Sequence, residues 1–301
     1  MTGGRPRPDA TAGVVVLGSA NLDLVATAER HPMPGETVLG LSFAEHPGGK
    51  GLNQAVAAAR SGATTKLVAA VGTDPAGGTL LDVAAAAGVL IDDCVRRADH
   101  PTGRALIAVD RHGENSIVVV PGANATMPAM TGELGGTVLL AQLEVPIESV
   151  AATFAAARRR GLTTVLNPAP AAAIPEDLLG DCDIVVPNQH EVDRLGGVQH
   201  LLDLGVSAVI VTLGADGVLV ADRSGRRIHP AWEVDPVDTT GAGDTFCGAL
   251  AARIAMGDPL SAAVDWAAAA AALSTTIDGA VPSIPTAEAV DHLIATGRRR
   301  A

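Results

Sequence analysis

The residues best placed to do chemistry lie in one run, Val237-Asp238-Thr239-Thr240-Gly241-Ala242-Gly243-Asp244-Thr245-Phe246, which leads into an Ala/Leu-rich helix ending near Met256. Small residues at a helix start leave backbone N–H groups open to a ligand, and the helix dipole favours negative charge there. Gly241, Ala242 and Gly243 therefore have the makings of an anion hole. An aspartate fixed beside such a hole would repel its anion, so Asp244 needs a reason to be there. Proton abstraction is one: the carboxylate takes a proton from an alcohol while the hole holds a phosphoryl group. For Gly-Ala-Gly alone an ordinary turn with a capping Asp is the simpler reading. The full ten-residue run is far more specific.

Other polar residues stand at places where a ligand could meet them. Asn21 and Asp23 point to one side of an extended segment, because side chains repeat every second residue. They suit a hydroxyl-rich ligand and a solvated strand face equally well. Gly48-Gly49-Lys50-Gly51-Leu52-Asn53-Gln54 offers glycines, Lys50 and Asn53 at the entrance to a helix, a place where backbone can approach a small ligand closely. It does not match the phosphate-binding GxxxxGK[ST] pattern. Glu144 ends the apolar strand Val138–Leu143, at the carboxyl end where sites in open α/β sheets cluster. Asn188 and Glu191 lie three apart at a helix start; taken alone they read as a cap followed by a solvated glutamate.

The elements that carry these residues alternate. Val14–Leu17 and Val138–Leu143 are apolar runs of the kind found in buried parallel strands. Thr164–Leu166, Ile184–Val186 and Ala208–Thr212 continue the series, with Gly214–Gly217 turning into a further strand. Helices are expected over Ala55–Arg60, Asp74–Gly88, Ile147–Arg160 and Leu260–Thr276. Segments 21–45 and 102–123, the latter with the hairpin signal Asp110–Asn115, form a small separate sheet. The reading is a three-layer α/β sandwich with a mainly parallel sheet over 14–20, 46–101 and 124–297. Residues 21–45 and 102–123 make a small β lid, and 1–13 and 298–301 are loose tails.

The 301 residues carry 48% hydrophobic and 18% charged residues and a formal net charge of −12. That describes a globular protein and argues against a general nucleic-acid or membrane surface. Cys94, Cys182 and Cys247 show no paired spacing and read as core residues in a reducing compartment. No apolar run approaches the roughly 18 residues of a membrane helix. The start of the chain has no apolar signal region. A cytoplasmic protein is expected. A dinucleotide-dependent dehydrogenase would need GxGxxG after the first strand, and Gly18-Ser19-Ala20 does not supply it.

The Asp-Thr-Thr-Gly-Ala-Gly-Asp-Thr-Phe run is similar to the C-terminal signature of the ribokinase-like (PfkB) carbohydrate kinases. Gly18-Ser19-Ala20-Asn21-Leu22-Asp23, Pro34-Gly35-Glu36-Thr37 and Gly48-Gly49-Lys50-Gly51-Leu52-Asn53-Gln54-Ala55 resemble that family's ribose-phosphorylating branch, over about residues 14 to 285. The resemblance implies ATP-dependent phosphorylation of D-ribose at its 5-hydroxyl, with Asp244 as general base beside Gly241, Ala242 and Gly243. It implies sugar contacts from Asn21, Asp23, Gly49, Lys50, Asn53, Glu144 and Asp244. Nucleotide contacts fall to Asn188, to the turn Thr212, Leu213, Gly214, Ala215, Asp216 and Gly217, to Gly243, and to the position of Ala268, where the family carries Asn or His. Glu191 would hold Mg²⁺ through water. Asp238, Thr240, Ser274, Ile277, Gly279 and Ser283 match an activating K⁺ site supplied mostly by carbonyls. The family also implies a homodimer joined through the lid. Sibling kinases of deoxyribose, a nucleoside or a ketohexose are the neighbouring readings, and a sugar sensor without turnover is the reading from another class.

Overall fold

The computed structural model describes residues 13–300. In chain order the strands are β1 (Gly13–Leu17), β2 (Asn21–Ala28), β3 (Gly40–Gly48), β4 (Thr64–Val68), β5 (Ala70–Gly72), β6 (Val95–Arg97) and β7 (Gly103–Val109). They continue with β8 (Asn115–Val120), β9 (Val138–Ala141), β10 (Thr163–Leu166), β11 (Ile184–Val185), β12 (Ala208–Thr212), β13 (Val218–Asp222) and β14 (Gly225–His229). The main sheet runs β14-β13-β12-β11-β10-β9-β1-β4, parallel from β12 to β4 and antiparallel at the β13–β14 edge. Its central strands are buried on both faces, which is why β1 is a continuous run of Val and Leu after its glycine. Helices Lys50–Arg60, Pro75–Ala86, Ala242–Ala255, Leu260–Ser274 and Ala287–Thr296 cover one face. Ile147–Arg159, Glu176–Gly180 and two short helices between 189 and 203 cover the other. The three expected layers are present.

Helices Lys50–Arg60 and Ala242–Ala255 touch through a glycine. A Cβ at Gly248 would stand 2.3 Å from the Gln54 carbonyl oxygen and 2.6 Å from the Ala57 Cβ. The missing side chain brings the two helix starts together, and with them Asn53, Gln54 and Asp244. The first of these helices begins at Lys50 rather than at Ala55 as expected. Gly49, at φ 91°, turns the chain left-handed before it, a conformation glycine adopts without a Cβ penalty. Lys50 and Asn53 are thereby helical residues of the first turn.

The lid is the sheet β3-β2-β7-β8, with β2 parallel to β7 and the outer pairs antiparallel. Its first segment runs on to Gly48, past the expected end at 45. Two side chains pin its base. Asn124 accepts the Ala20 N–H at 3.1 Å and donates to the Asn21 Oδ1 at 2.8 Å. Asp74 accepts the N–H groups of Gly77 and Thr102, each at 3.0 Å.

The ends of the described chain differ from the loose tails expected. Gly13 opens β1. Arg298–Arg300 is not loose: Arg300 N–H donates to the Ala231 carbonyl at 2.8 Å and Glu233 N–H to the Arg298 carbonyl at 2.9 Å. An apolar ring, Trp232, lies under the Arg299 guanidinium at 4.1 Å; nothing in the Arg-Arg-Arg sequence itself announces that partner. Residues 1–12 and 301 lie outside the described residues. Among the described residues, no helix is long and apolar enough to cross a membrane.

Candidate active site

Helix Ala242–Ala255 starts on Gly241, left-handed at φ 75°. Only part of the expected trio of N–H groups is open. Ala242 N–H is taken by the Thr239 carbonyl at 3.2 Å, while Thr245 N–H closes the first turn onto Gly241 at 2.8 Å. Gly243 and Asp244 N–H have no backbone partner among the described residues, as expected at a helix start. Gly241 N–H has no backbone partner there either, so the donors open to an anion are those of Gly241, Gly243 and Asp244.

Asp244 is buried, and both of its carboxylate oxygens accept an amide. Asn53 Nδ2 donates to Oδ2 at 2.9 Å, and Gln54 Nε2 donates to Oδ1 at 2.8 Å. Gln54 is fixed in turn: its Nε2 also reaches Asn167 Oδ1 at 3.1 Å, and its Oε1 accepts from Gln142 Nε2. Asn167 donates to the Val186 carbonyl at 2.9 Å. Two amides of one helix thus set the plane of the carboxylate, and Asn167 and Gln142 fix one of them, Gln54. An ionised carboxylate has about four acceptor sites, so each oxygen keeps a lone pair for a substrate.

A cavity of about 130 Å³ opens at Asp244, lined also by Lys50, Asn188, Glu191, Gly241 and Gly243. Burial works against the Lys50 ammonium, but the carboxylates of Asp244, Glu144 and Glu191 outweigh it and hold its pKa above the usual lysine value. The cavity thus keeps a permanent cation, which suits a phosphoryl group. Asn188 and Glu191 form a reciprocal cap: Glu191 N–H donates to Asn188 Oδ1 at 2.8 Å and Asn188 N–H to Glu191 Oε2 at 2.9 Å. The capping half of the reading is correct, but Glu191 is buried rather than solvated, and its Oε1 is left without a partner among the described residues, at the cavity.

On the lid side Asp23 lies within reach of the charges of Glu144 and Asp244, Gly49 packs against the Asn21 backbone N–H, and Glu144 meets the Lys50 N–H. Asp23 lies against Gly48, where a Cβ would stand 2.1 Å from Oδ2. Burial first, then the charges of Glu144 and Asp244, push the Asp23 carboxyl up to about 7. Asn53 Oδ1 is buried without a partner among the described residues. Asn21 has its Oδ1 occupied by Asn124 and only its amide NH₂ left to give. Glu144 has a structural task. Its Oε2 accepts from Ser19 Oγ and from Lys50 N–H at 3.0 Å, capping helix Lys50–Arg60.

A second cavity, of about 280 Å³, continues past Gly243 and Thr212. Gly214, Ala215, Gly217, Ala242 and Ala268 line it, together with Trp232, Phe246 and Arg300. Leu213 and Asp216 do not line it; Leu213 turns its side chain into the core beneath β12. The expected cation loop is stitched across two segments. Val237 and Asp238 N–H both reach the Thr275 carbonyl, and Asp238 accepts the N–H groups of Thr240 and Gly279 at 2.8 Å each. Partial burial opposes the Asp238 charge, yet those hydrogen bonds hold its carboxyl below the usual range. No described lysine, arginine or histidine pairs with it. Ser274 and Ser283 spend their hydroxyl protons on carbonyls three residues back, and Ile277 is exposed.

Sequence reasoning passed over Gln54, Gln142, Asn167, Asn124, Trp232 and Arg300. Amides at the ends of otherwise apolar strands were the available signal for Gln142 and Asn167.

The chain matches the family described as pfkB family carbohydrate kinase over residues 11–287. It is 38% identical to a ribokinase of Staphylococcus aureus, covering 94% of this chain and 100% of the relative. A solved ribokinase of Thermotoga maritima superposes with a TM-score of 0.85 at 35% identity, covering 94% of this chain and 99% of that one. An Arabidopsis thaliana ribokinase complexed with ribose and ATP gives 0.87 at 31%, covering 94% and 98%.

Proposed function

The chain belongs to the pfkB family of carbohydrate kinases, and from that premise we propose that it transfers the γ-phosphoryl group of ATP to the 5-hydroxyl of D-ribose. The observation that carries the reading is Asp244: a buried carboxylate aimed by Asn53 and Gln54, beside open N–H groups at a helix start. The sugar lies between Asp23, Asn53 and Asp244, and the nucleotide fills the cavity lined by Thr212, Gly214 and Ala268. Asp244 takes the hydroxyl proton as the oxygen attacks phosphorus. Gly243 and Asp244 N–H, with Lys50, meet the charge on the transferred group, where fixed donors cost no reorganisation during reaction.

Mg²⁺ fits Glu191, whose free Oε1 faces the cavity. When bound it neutralises phosphate charge, and retaining several waters suits a site with one carboxylate. Among the described residues no group of three or more His, Cys, Asp or Glu forms a dedicated metal cage. K⁺ fits the loop around Asp238, a carboxylate with no countercharge among the described residues. The reading includes a homodimer joined through the lid. Supporting it, the strand register puts Phe43, Leu106, Val118 and Val120 on one lid face, turned away from Asp23; all four are exposed. A cytoplasmic location is supported by cysteines that stay free among the described residues.

ADP release from MgATP is the test, with D-ribose beside 2-deoxyribose, fructose and adenosine, each with and without K⁺. Ribose is the best acceptor and K⁺ raises its turnover. A better rate on another acceptor would refute the ribose assignment, and a rate indifferent to K⁺ would refute the cation loop.

Asp23 gives a pH dependence. Ribose hydroxyls donate to its ionised form, so binding needs the proton gone. Ribose affinity measured without nucleotide therefore falls as pH drops through about 7, approaching tenfold per unit below it. Asp23→Asn abolishes that slope and weakens ribose by about 10- to 100-fold, the worth of a hydrogen bond to a charged group. Flat wild-type affinity from pH 6 to 8 would exclude ionised Asp23 as the sugar acceptor.

A further inference from the structure

The C-terminal arginines stand where the sequence offers no reason for them. Arg298–Arg300 adds a short antiparallel pairing to residues 231–233, and it lies at the rim of the larger cavity. Arg299 holds the segment down. Its Nη1 donates to the Pro230 carbonyl at 2.7 Å and its Nη2 meets Asp265 at 2.6 Å, while the guanidinium plane covers Trp232. His229 Nδ1 meets the same Asp265 oxygen at 3.0 Å. With the pairing fixed in this way, the next side chain, Arg300, lines the cavity together with the Trp232 indole.

Two observations point to a ligand here. Trp232 is 6% exposed, and its Nε1–H is buried without an acceptor among the described residues. Such a donor is costly to leave unmade. Arg300 is exposed and has neither an acidic partner nor a side-chain hydrogen bond among the described residues. Across the cavity the wall is Ala268, Ala271 and Ala272, which can pack against a flat ring but offers no side-chain polar contact.

We propose that this arginine strap completes the nucleotide site, Arg300 and Trp232 being direct contacts to the base-and-ribose part of the bound nucleotide. Thr212 and Gly243 are shared with the smaller cavity at Asp244, so the phosphate chain points that way. Arg300 and the residues 231–234 stand on the nucleoside portion. Both contacts are donors, so the edge they meet carries acceptors, as purine ring nitrogens and ribose oxygens do. A guanidinium suits the face or edge of a base. The inference rests on reading this cavity as the nucleotide site.

The test is equilibrium binding of MgADP, followed by calorimetry and by tryptophan fluorescence. The chain has two tryptophans, and Trp266 is bonded to Asp291 away from the cavity lining, so Trp232 carries the nucleotide-dependent signal. Arg300→Ala raises the MgADP Kd roughly 5- to 20-fold, in the range of a lost charged contact, and leaves ribose Kd and Tm unchanged. Trp232→Phe keeps a ring, removes the donor, weakens MgADP by several-fold and abolishes the fluorescence change. MgADP affinities within twofold of wild type in Arg300→Ala would overturn the proposal. So would a nucleotide-dependent signal that survives in Trp232→Phe. A wild-type protein that binds MgADP but phosphorylates no ribose would count against the substrate assignment alone; weaker MgADP binding in Arg300→Ala would still support the strap.

Discussion

Asp244→Asn is expected to lower kcat by about 10²- to 10⁴-fold, the usual worth of a positioned acid–base group, while ribose KM stays within a few-fold. That is about 3–5 kcal/mol of transition-state stabilisation at 1.36 kcal/mol per decade. The split between kcat and KM follows from the geometry. On the proposed reading Asp23, Asn53 and Glu144 meet the sugar without Asp244, so ground-state binding is expected to survive. The proton acceptor does not. Asn53 and Gln54 both donate to residue 244, so an amide there must turn its NH₂ toward one of these donors. A loss of stability of about 1–3 kcal/mol accompanies the change. Asp244→Ala removes that conflict as well as the carboxylate, and kcat falls to the same range. A folded Asp244→Asn enzyme with near-normal turnover would exclude Asp244 as the base.

Gly248→Ala, a single methyl group added between two helices and outside the lining of both cavities, is expected to damage both stability and turnover. The added Cβ would stand 2.3 Å from the Gln54 carbonyl oxygen and 3.0 Å from Ala58 N, both backbone atoms that cannot swing aside. The two helices must separate. Overpacking of a close-packed interior costs about 1–3 kcal/mol, and here the displaced backbone also carries Asn53 and Gln54. Their hydrogen bonds to Asp244 lengthen, so kcat falls at least tenfold beside a lower Tm. A millimolar-ribose assay and a thermal melt on the same sample check both. Unchanged kcat in a destabilised protein would mean that the amide chain does not position Asp244.

The parallel core and the catalytic run were legible because their causes are local. Val14–Leu17 is apolar throughout because both faces of β1 are buried. Gly241 and Asp244 announce themselves because a helix start that binds an anion needs small residues, and a carboxylate among them is out of place. The scaffold around Asp244 was not legible, for the opposite reason. Gln54, Asn167 and Gln142 come from a helix, a strand end and another strand end, and meet only when the sheet and two helices are packed. Glu144 reads as a group at a strand end, yet it also caps helix Lys50–Arg60, a contact that spans 94 positions in the chain. Arg298–Arg300 reads as a charged tail because its partners, Trp232 and Asp265, lie far upstream. Helix Lys50–Arg60 begins earlier than its apolar pattern suggests because glycine propensity opposes helix while packing against Gly248 favours it.

The most direct measurement of the central claim is the product itself. Phosphorus NMR of a reaction with MgATP and D-ribose follows ATP to ADP and registers the new ester. The expected result is a single phosphomonoester whose carbon–phosphorus couplings place it on C5, formed in step with ADP. Phosphate on another carbon, or ADP accompanied only by inorganic phosphate, would contradict the assignment of Asp244 to the 5-hydroxyl of ribose.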